Sequence, residues 1–175
     1  MAEQTPWPAK DGERRDKVDP VVVRLKVNFK TLEEFRRFRE YGLEELSMYE
    51  DLQANMIEND ADSPFYGVYE DGRLVARMSL YPVSARFDRY FTPPRDHLEL
   101  WKLEVLPGYK GKGYGRALVQ HAQSFGLPIK TNVRCGAHEF FTKLGFYPVK
   151  YNPERDHGQN PYLWLPPEEP RPASS

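Results

Sequence analysis

The segment Lys110-Gly111-Lys112-Gly113-Tyr114-Gly115-Arg116 sets glycine at every second position and adds three cationic side chains. Glycine lets a ligand approach the backbone closely. Downstream, Tyr114, Ala117, Leu118, His121, Ala122 and Phe125 recur at helical spacing, so a helix starts inside this run. The first N–H groups of a helix have no partner within it and carry partial positive charge. Glycines, exposed N–H groups and cations together make an anion site. Two common phosphate loops do not fit. A Walker loop needs Gly-Lys-Ser/Thr, and a dinucleotide loop needs a third glycine near Leu118 and an acid ending a second strand.

The elements that hold this loop are legible on either side. Leu98 to Val105 reads as a strand stopped by Pro107-Gly108. Val21 to Val27 reads as a strand. Thr31 and Glu34 form a capping box that opens a helix with Leu32, Phe35 and Phe38 on one face. After Gly42, Leu43, Leu46, Tyr49, Leu52 and Met56 space a second helix. Asp71-Gly72 joins strands Phe65 to Glu70 and Arg73 to Tyr81 as a hairpin. Beyond the loop helix come a strand near Pro128 to Asn132, a helix from about Gly136 to Leu144, and strands near Phe146 to Tyr151 and Tyr162 to Leu165. The expected order is β-α-α-β-β-β-α-β-α-β-β, an α/β (α+β) mixed central sheet with helices on both faces.

Lys110-Gly111-Lys112-Gly113-Tyr114-Gly115 resembles Gln/Arg-x-x-Gly-x-Gly/Ala, the pyrophosphate loop of the GNAT acetyltransferase superfamily, with lysine in the Gln/Arg slot. Leu103-Glu104-Val105 with Pro107 resembles the end of that family's fourth strand. The run from Ala137 through Phe140, Phe141 and Gly145 to Phe146 is similar to its second motif, Ala-x-x-Phe-Tyr-x-x-x-Gly-Phe. The stretch from Thr31 to Ser79 resembles the uncharacterised YlbP-type branch of bacterial GNAT proteins, and the whole resemblance spans roughly Val21 to Trp164.

The resemblance implies the GNAT acyl-CoA N-acyltransferase fold and acetyl transfer from acetyl-CoA to a primary amine. Cofactor contacts would come from Leu103, Val105, Lys110, Gly111, Lys112, Gly113, Tyr114, Gly115, Arg116 and Phe141. The Val105 N–H would hold the oxyanion. An alkylammonium has a pKa of ~10.4, so near neutral pH roughly one amine in a thousand is free to attack, a penalty of about 4 kcal/mol. A carboxylate that takes the proton offsets part of it. Glu99, six residues before Val105, stands where family members with a strand-borne base carry it. Glu104 is nearer but alternates to the other face unless a bulge shifts the register. Both also read as strand charges paired with cations. Phe141 fills the slot of the tyrosine that usually protonates the departing thiolate. That leaves two other readings: a catalytically weak acetyl-CoA-binding sensor or docking protein, and an acyltransferase for a larger acyl-CoA.

Composition bounds the remaining possibilities. A chain of 175 residues has room for one cored domain, expected at 19–165 between a disordered head, 1–18, and a disordered Pro-rich tail, 166–175. A net charge of −1 gives no polyanion signature, so no nucleic acid is expected as a partner. No run is apolar enough to cross a membrane. One cysteine, Cys135, suits the cytoplasm. His97, His121, His138 and His157 lack ligand spacing, so no metal is expected. From Tyr41 to Ser63 there are seven acids and no Lys or Arg. This is either a solvated helix face or, if it borders the acceptor cleft as in GNAT folds, a rim that concentrates a cationic amine. The chain is expected to act as a monomer or homodimer.

Overall fold

The computed structural model describes residues 19–38 and 63–169. The predicted second helix, the acidic stretch up to Asp62, the head 1–18 and residues 170–175 lie outside the described residues.

Seven strands form one sheet in the order β1-β2-β3-β4-β5-β7-β6. They are β1 (Val23–Arg24), β2 (Phe65–Glu70), β3 (Arg73–Val83), β4 (His97–Val105), β5 (Ile129–Asn132), β6 (Tyr147–Pro148) and β7 (Pro161–Trp164). Among the described strands only β4 and β5 pair in parallel, which needs the crossover through helix α2 (Tyr114–Gln123). Helix α1 (Phe29–Phe35) lies on one face of the sheet, over a cluster that includes Leu25, Phe65, Leu74 and Leu106. The other face buries Leu100, Ile129 and Tyr162 against Leu118, Val119 and Ala122 of α2 and Phe141 of α3 (His138–Lys143). This is the mixed sheet with helices on both faces.

The hairpin between β2 and β3 forms as predicted. Asp71 and Gly72 have φ of 51° and 76°, the paired left-handed conformation that a two-residue turn of matching twist demands. Helix α1 starts earlier than expected. Its cap is Asn28, whose side chain accepts from the Thr31 N–H at 3.0 Å. The Thr31 hydroxyl turns back to the Lys26 carbonyl, and Glu34 accepts from the Tyr69 hydroxyl rather than closing a capping box. The predicted strand Val21 to Val27 is reduced to Val23–Arg24, although Leu25 still donates its N–H to the Phe65 carbonyl at 2.8 Å. The predicted strand from Phe146 pairs only at Tyr147 and Pro148.

A short helix α4 (Pro153–Asp156) was not predicted, although Asn152-Pro153 is a readable start signal: Asn152 caps it and proline sits in the first turn. Asp156 is buried and accepts from Arg155 Nε at 2.7 Å and from the Asn152 N–H at 2.9 Å. The Arg155 hydrogen bond, with the Asn152 N–H, holds its carboxyl down at about 2 against burial, which pushes the other way. A carboxyl lowered in the folded state adds stability that is complete above its unfolded value near 3.8 and is lost as pH falls through the folded value. The gain is on the order of 2 kcal/mol. Asp156→Asn should therefore lower the unfolding free energy read from urea titration at pH 7 by that much and remove most of the fall seen in the wild type between about pH 4 and pH 2.

Candidate active site

Strands β4 and β5 are paired only from Leu98–Ile129 to Leu100–Thr131 and then separate. The cause of the fork lies in β4. Its register against β3 slips between Leu80↔Leu100 and Ser79↔Lys102, which leaves Trp101 as an extra residue. Such a bulge bends a strand and reverses the alternation of its faces. Leu98 and Leu100, before it, and Leu103 and Val105, after it, all face the α2 core. Glu99, Lys102 and Glu104 consequently share the opposite face.

The backbone beyond the fork is directed as well. The Leu106 N–H donates to the Val75 carbonyl at 2.9 Å, so that pair exchanges ladder bonds with β3. Hydrogen-bonding direction alternates along an antiparallel pair. Val105 and Leu103 therefore turn their N–H and C=O groups away from β3, toward the side that β5 has left.

A cleft of about 760 Å³ occupies that side. One wall is Leu103, Glu104 and Val105, and another is the loop Lys110, Gly111, Gly113, Tyr114, Gly115 and Arg116. Arg134, Cys135, Ala137, Phe140 and Lys143 close it opposite. Gly111 and Gly113 have φ of 79° and 91°, which only glycine adopts at low cost. Gly113 is the N-cap of α2 and offers no capping side chain, so the first N–H groups of the helix stay available to a ligand. Gly115 packs beside the Phe140 ring, where a Cβ would lie 3.5 Å away in ordinary contact. Lys112 belongs to the same loop but projects its Nζ over the Tyr109 ring at 5.3 Å, outside the cleft lining.

Phe141 sits in the core, 6% exposed, between Phe140 and Phe146 with ring centroids 5.0 and 5.2 Å away. It reaches a small cavity of about 140 Å³ at the fork, shared with Leu100, Trp101, Leu103 and Phe140. The ring thus walls the fork, while Phe140 is the aromatic that touches the main cleft.

Both candidate carboxylates have cationic partners. Glu104 accepts from Arg77 Nη2 at 2.8 Å, and both side chains are 1% exposed. Glu99 accepts from Lys130 Nζ at 2.9 Å, with a third of its side chain still exposed. Lys130 also lies over the Tyr90 ring, 4.9 Å from its centroid. Arg77 and Lys130 were missed from sequence; Arg77 had a signal, since a cation in the middle of a largely apolar strand needs a partner when buried.

The profile of the acetyltransferase (GNAT) family matches residues 29–146. The chain belongs to this family. An uncharacterised N-acetyltransferase of Brevibacillus brevis is 66% identical over 145 residues, 83% of this chain and 94% of that protein. The uncharacterised N-acetyltransferase YlbP of Bacillus subtilis is 59% identical over 83% of this chain and 91% of its own length. The crystal structure of Bacillus subtilis YlbP in complex with coenzyme A matches with 57% identity and a TM-score of 0.73, covering 84% of this chain and 97% of that one. The PaiA N-acetyltransferase of Thermoplasma acidophilum, 16% identical with a TM-score of 0.62 over 85% of this chain and 99% of that one, shares the fold. Among the described residues no group of His, Cys, Asp or Glu could hold a metal ion, and no helix is long and apolar enough to cross a membrane.

Proposed function

We propose that this GNAT protein transfers acetyl from acetyl-CoA to a primary amine by direct attack, in the cytoplasm that its single cysteine suits. The observation that carries this is the fork: it opens beside an uncapped helix N-terminus on one side and beside Glu99 on the other. The glycine loop fits a pyrophosphate, because its left-handed glycines and free N–H groups accept an anion that any larger side chain would crowd. Lys110 and Arg116 add charge, with Arg134 opposite. Leu103 and Val105 offer backbone groups to the two amides of the pantetheine arm, as a neighbouring strand would. The Val105 N–H donates to the oxyanion as the amine nitrogen bonds to the thioester carbon.

Glu99 takes the proton of the ammonium. Lys130, bonded to the same carboxylate, makes that position unfavourable for a second cation and so favours the neutral, nucleophilic amine. Glu104 is committed to Arg77 and deeply buried, which leaves it the weaker candidate. No tyrosine stands at 141; the thiolate, whose thiol has a pKa of ~8.5, is a good enough leaving group to depart unassisted. The small cavity at the fork favours acetyl over a long acyl chain.

The test is acetyl-CoA-dependent thiol release with a panel of primary amines, with the acetylated amine identified by mass. Release without acetylated product, or coenzyme A binding with no turnover on any amine, favours the sensor reading instead. Glu99→Gln should lower kcat by about 10²-fold near pH 7 and recover much of it as pH rises and free amine accumulates. A parallel pH–rate profile in the variant shows Glu99 to be structural.

A further inference from the structure

Beyond the cleft lies a second pocket of about 680 Å³, framed by Tyr90, Phe91, Pro93, Tyr147, Val149 and Leu163. The strand registers fix its position relative to Glu99. Tyr81 pairs with Glu99, Glu99 with Lys130, Lys130 with Leu163, and Leu163 with Tyr147. Residues opposite one another in paired strands point to the same face. These five side chains therefore form one row across the sheet, on the face away from α2. At a strand spacing of ~4.8 Å, Leu163 stands about 10 Å from Glu99. The Tyr90 ring, stacked on Lys130, covers the step between them.

The chemistry of the pocket selects its occupant. The charged groups and the Tyr90 hydroxyl at its edge already have partners. Arg95 is paired with Glu169 across the mouth, and the Tyr90 hydroxyl donates to Asp156 at 3.3 Å. A charged or strongly polar body would lose hydration against the Phe91, Val149, Leu163 and Leu165 side chains that make up much of the lining. An aromatic or branched apolar body would lose nothing and bury its surface on Phe91, Val149 and Leu163.

We infer that this pocket holds the body of the acceptor, and that the acceptor is a primary amine carrying an aromatic or branched apolar group a few bonds from its nitrogen. The amine lies at Glu99 and the apolar body extends along the row, past Lys130, into the pocket. The inference rests on acetyl transfer at Glu99 as proposed above.

Phenethylamine and ethanolamine share an aminoethyl group and differ in the body. With acetyl-CoA as donor, the wild type should show a kcat/KM at least tenfold higher for phenethylamine. Val149→Trp fills the pocket from its wall, and Thr92→Trp does so from an exposed position at its mouth. Either variant should bring the phenethylamine-to-ethanolamine ratio to within about twofold of one. Coenzyme A binding, made in a different cleft, reports that each variant is folded. Calorimetric titration of tryptamine into the coenzyme A complex reads the pocket without turnover: the wild type should bind, and the two variants at least tenfold more weakly. Equal kcat/KM for the two amines in the wild type overturns the inference, as does a ratio or a tryptamine affinity that both variants leave unchanged. If no amine is acetylated at all, acetyl transfer is rejected, and the tryptamine titration still decides whether the pocket takes an apolar amine.

Discussion

Gly113→Asp should reduce coenzyme A affinity by at least about 10²-fold while leaving the protein folded. Gly113 has φ of 91° and is the N-cap of α2. An L-residue in the left-handed region costs about 1–2 kcal/mol. Aspartate is also a favoured N-cap, worth roughly 0.5–2 kcal/mol when its oxygen reaches an exposed N–H. The two effects nearly offset each other in stability. They do not offset in binding, because the carboxylate takes the N–H groups that the pyrophosphate needs and sets a negative charge beside it. Gly113→Ala separates the contributions: it carries the strain without the charge and should lose only about tenfold, the equivalent of 1.4 kcal/mol. Calorimetry with coenzyme A measures both. Equal affinity in the wild type and the aspartate variant rejects the loop as the pyrophosphate site.

The parts of this site that were legible in the sequence are the local ones. Alternating glycines before a helical repeat fix a loop at 110–115 whatever the rest of the chain does. Asp71-Gly72 fixes a hairpin for the same reason. Ambiguity entered where two local signals compete. Asn28 and Thr31 both qualify as caps, and contacts outside the helix made the choice: the nearby Lys26 carbonyl accepts from the threonine hydroxyl, and the distant Tyr69 takes Glu34.

What could not be read is carried by pairs distant in sequence. Arg77 and Glu104 are 27 residues apart, and Glu99 and Lys130 are 31 apart. Each pair depends on strand register, which a one-residue slip would invert. The Trp101 bulge is such a slip. It moves Glu104 onto the same face as Glu99, where uninterrupted alternation from Glu99 would set it opposite. The competing roles of the two carboxylates could be separated only once their partners were known.

That separation leads to the second large effect. Arg77→Met should destabilise the fold by about 3–5 kcal/mol, because it removes the cation bonded to Glu104 Oε1 while that carboxylate stays buried. At roughly 2–4 °C per kcal/mol for a chain of this size, the melting temperature should fall by on the order of 10 °C. The guanidinium group also lies over Phe35 and Phe38, 4.7 and 4.6 Å from the ring centroids, a contact that the methionine side chain keeps in apolar form. Among the described residues Arg77 Nε and Nη1 have no hydrogen-bond partner, so within that set the ion pair does not recover the full cost of its own desolvation. The double variant Arg77→Met, Glu104→Leu removes both charges and should regain most of the lost stability. Urea titrations of the wild type, both single variants and the double variant complete the cycle. A double variant as unstable as the sum of the singles rejects the pair as a coupled unit. The same protein settles the catalytic question. If Glu104 only anchors Arg77 beneath α1, the restored double variant should acetylate phenethylamine at a rate within about threefold of the wild type, whereas loss of turnover in a protein of regained stability transfers the base from Glu99 to Glu104.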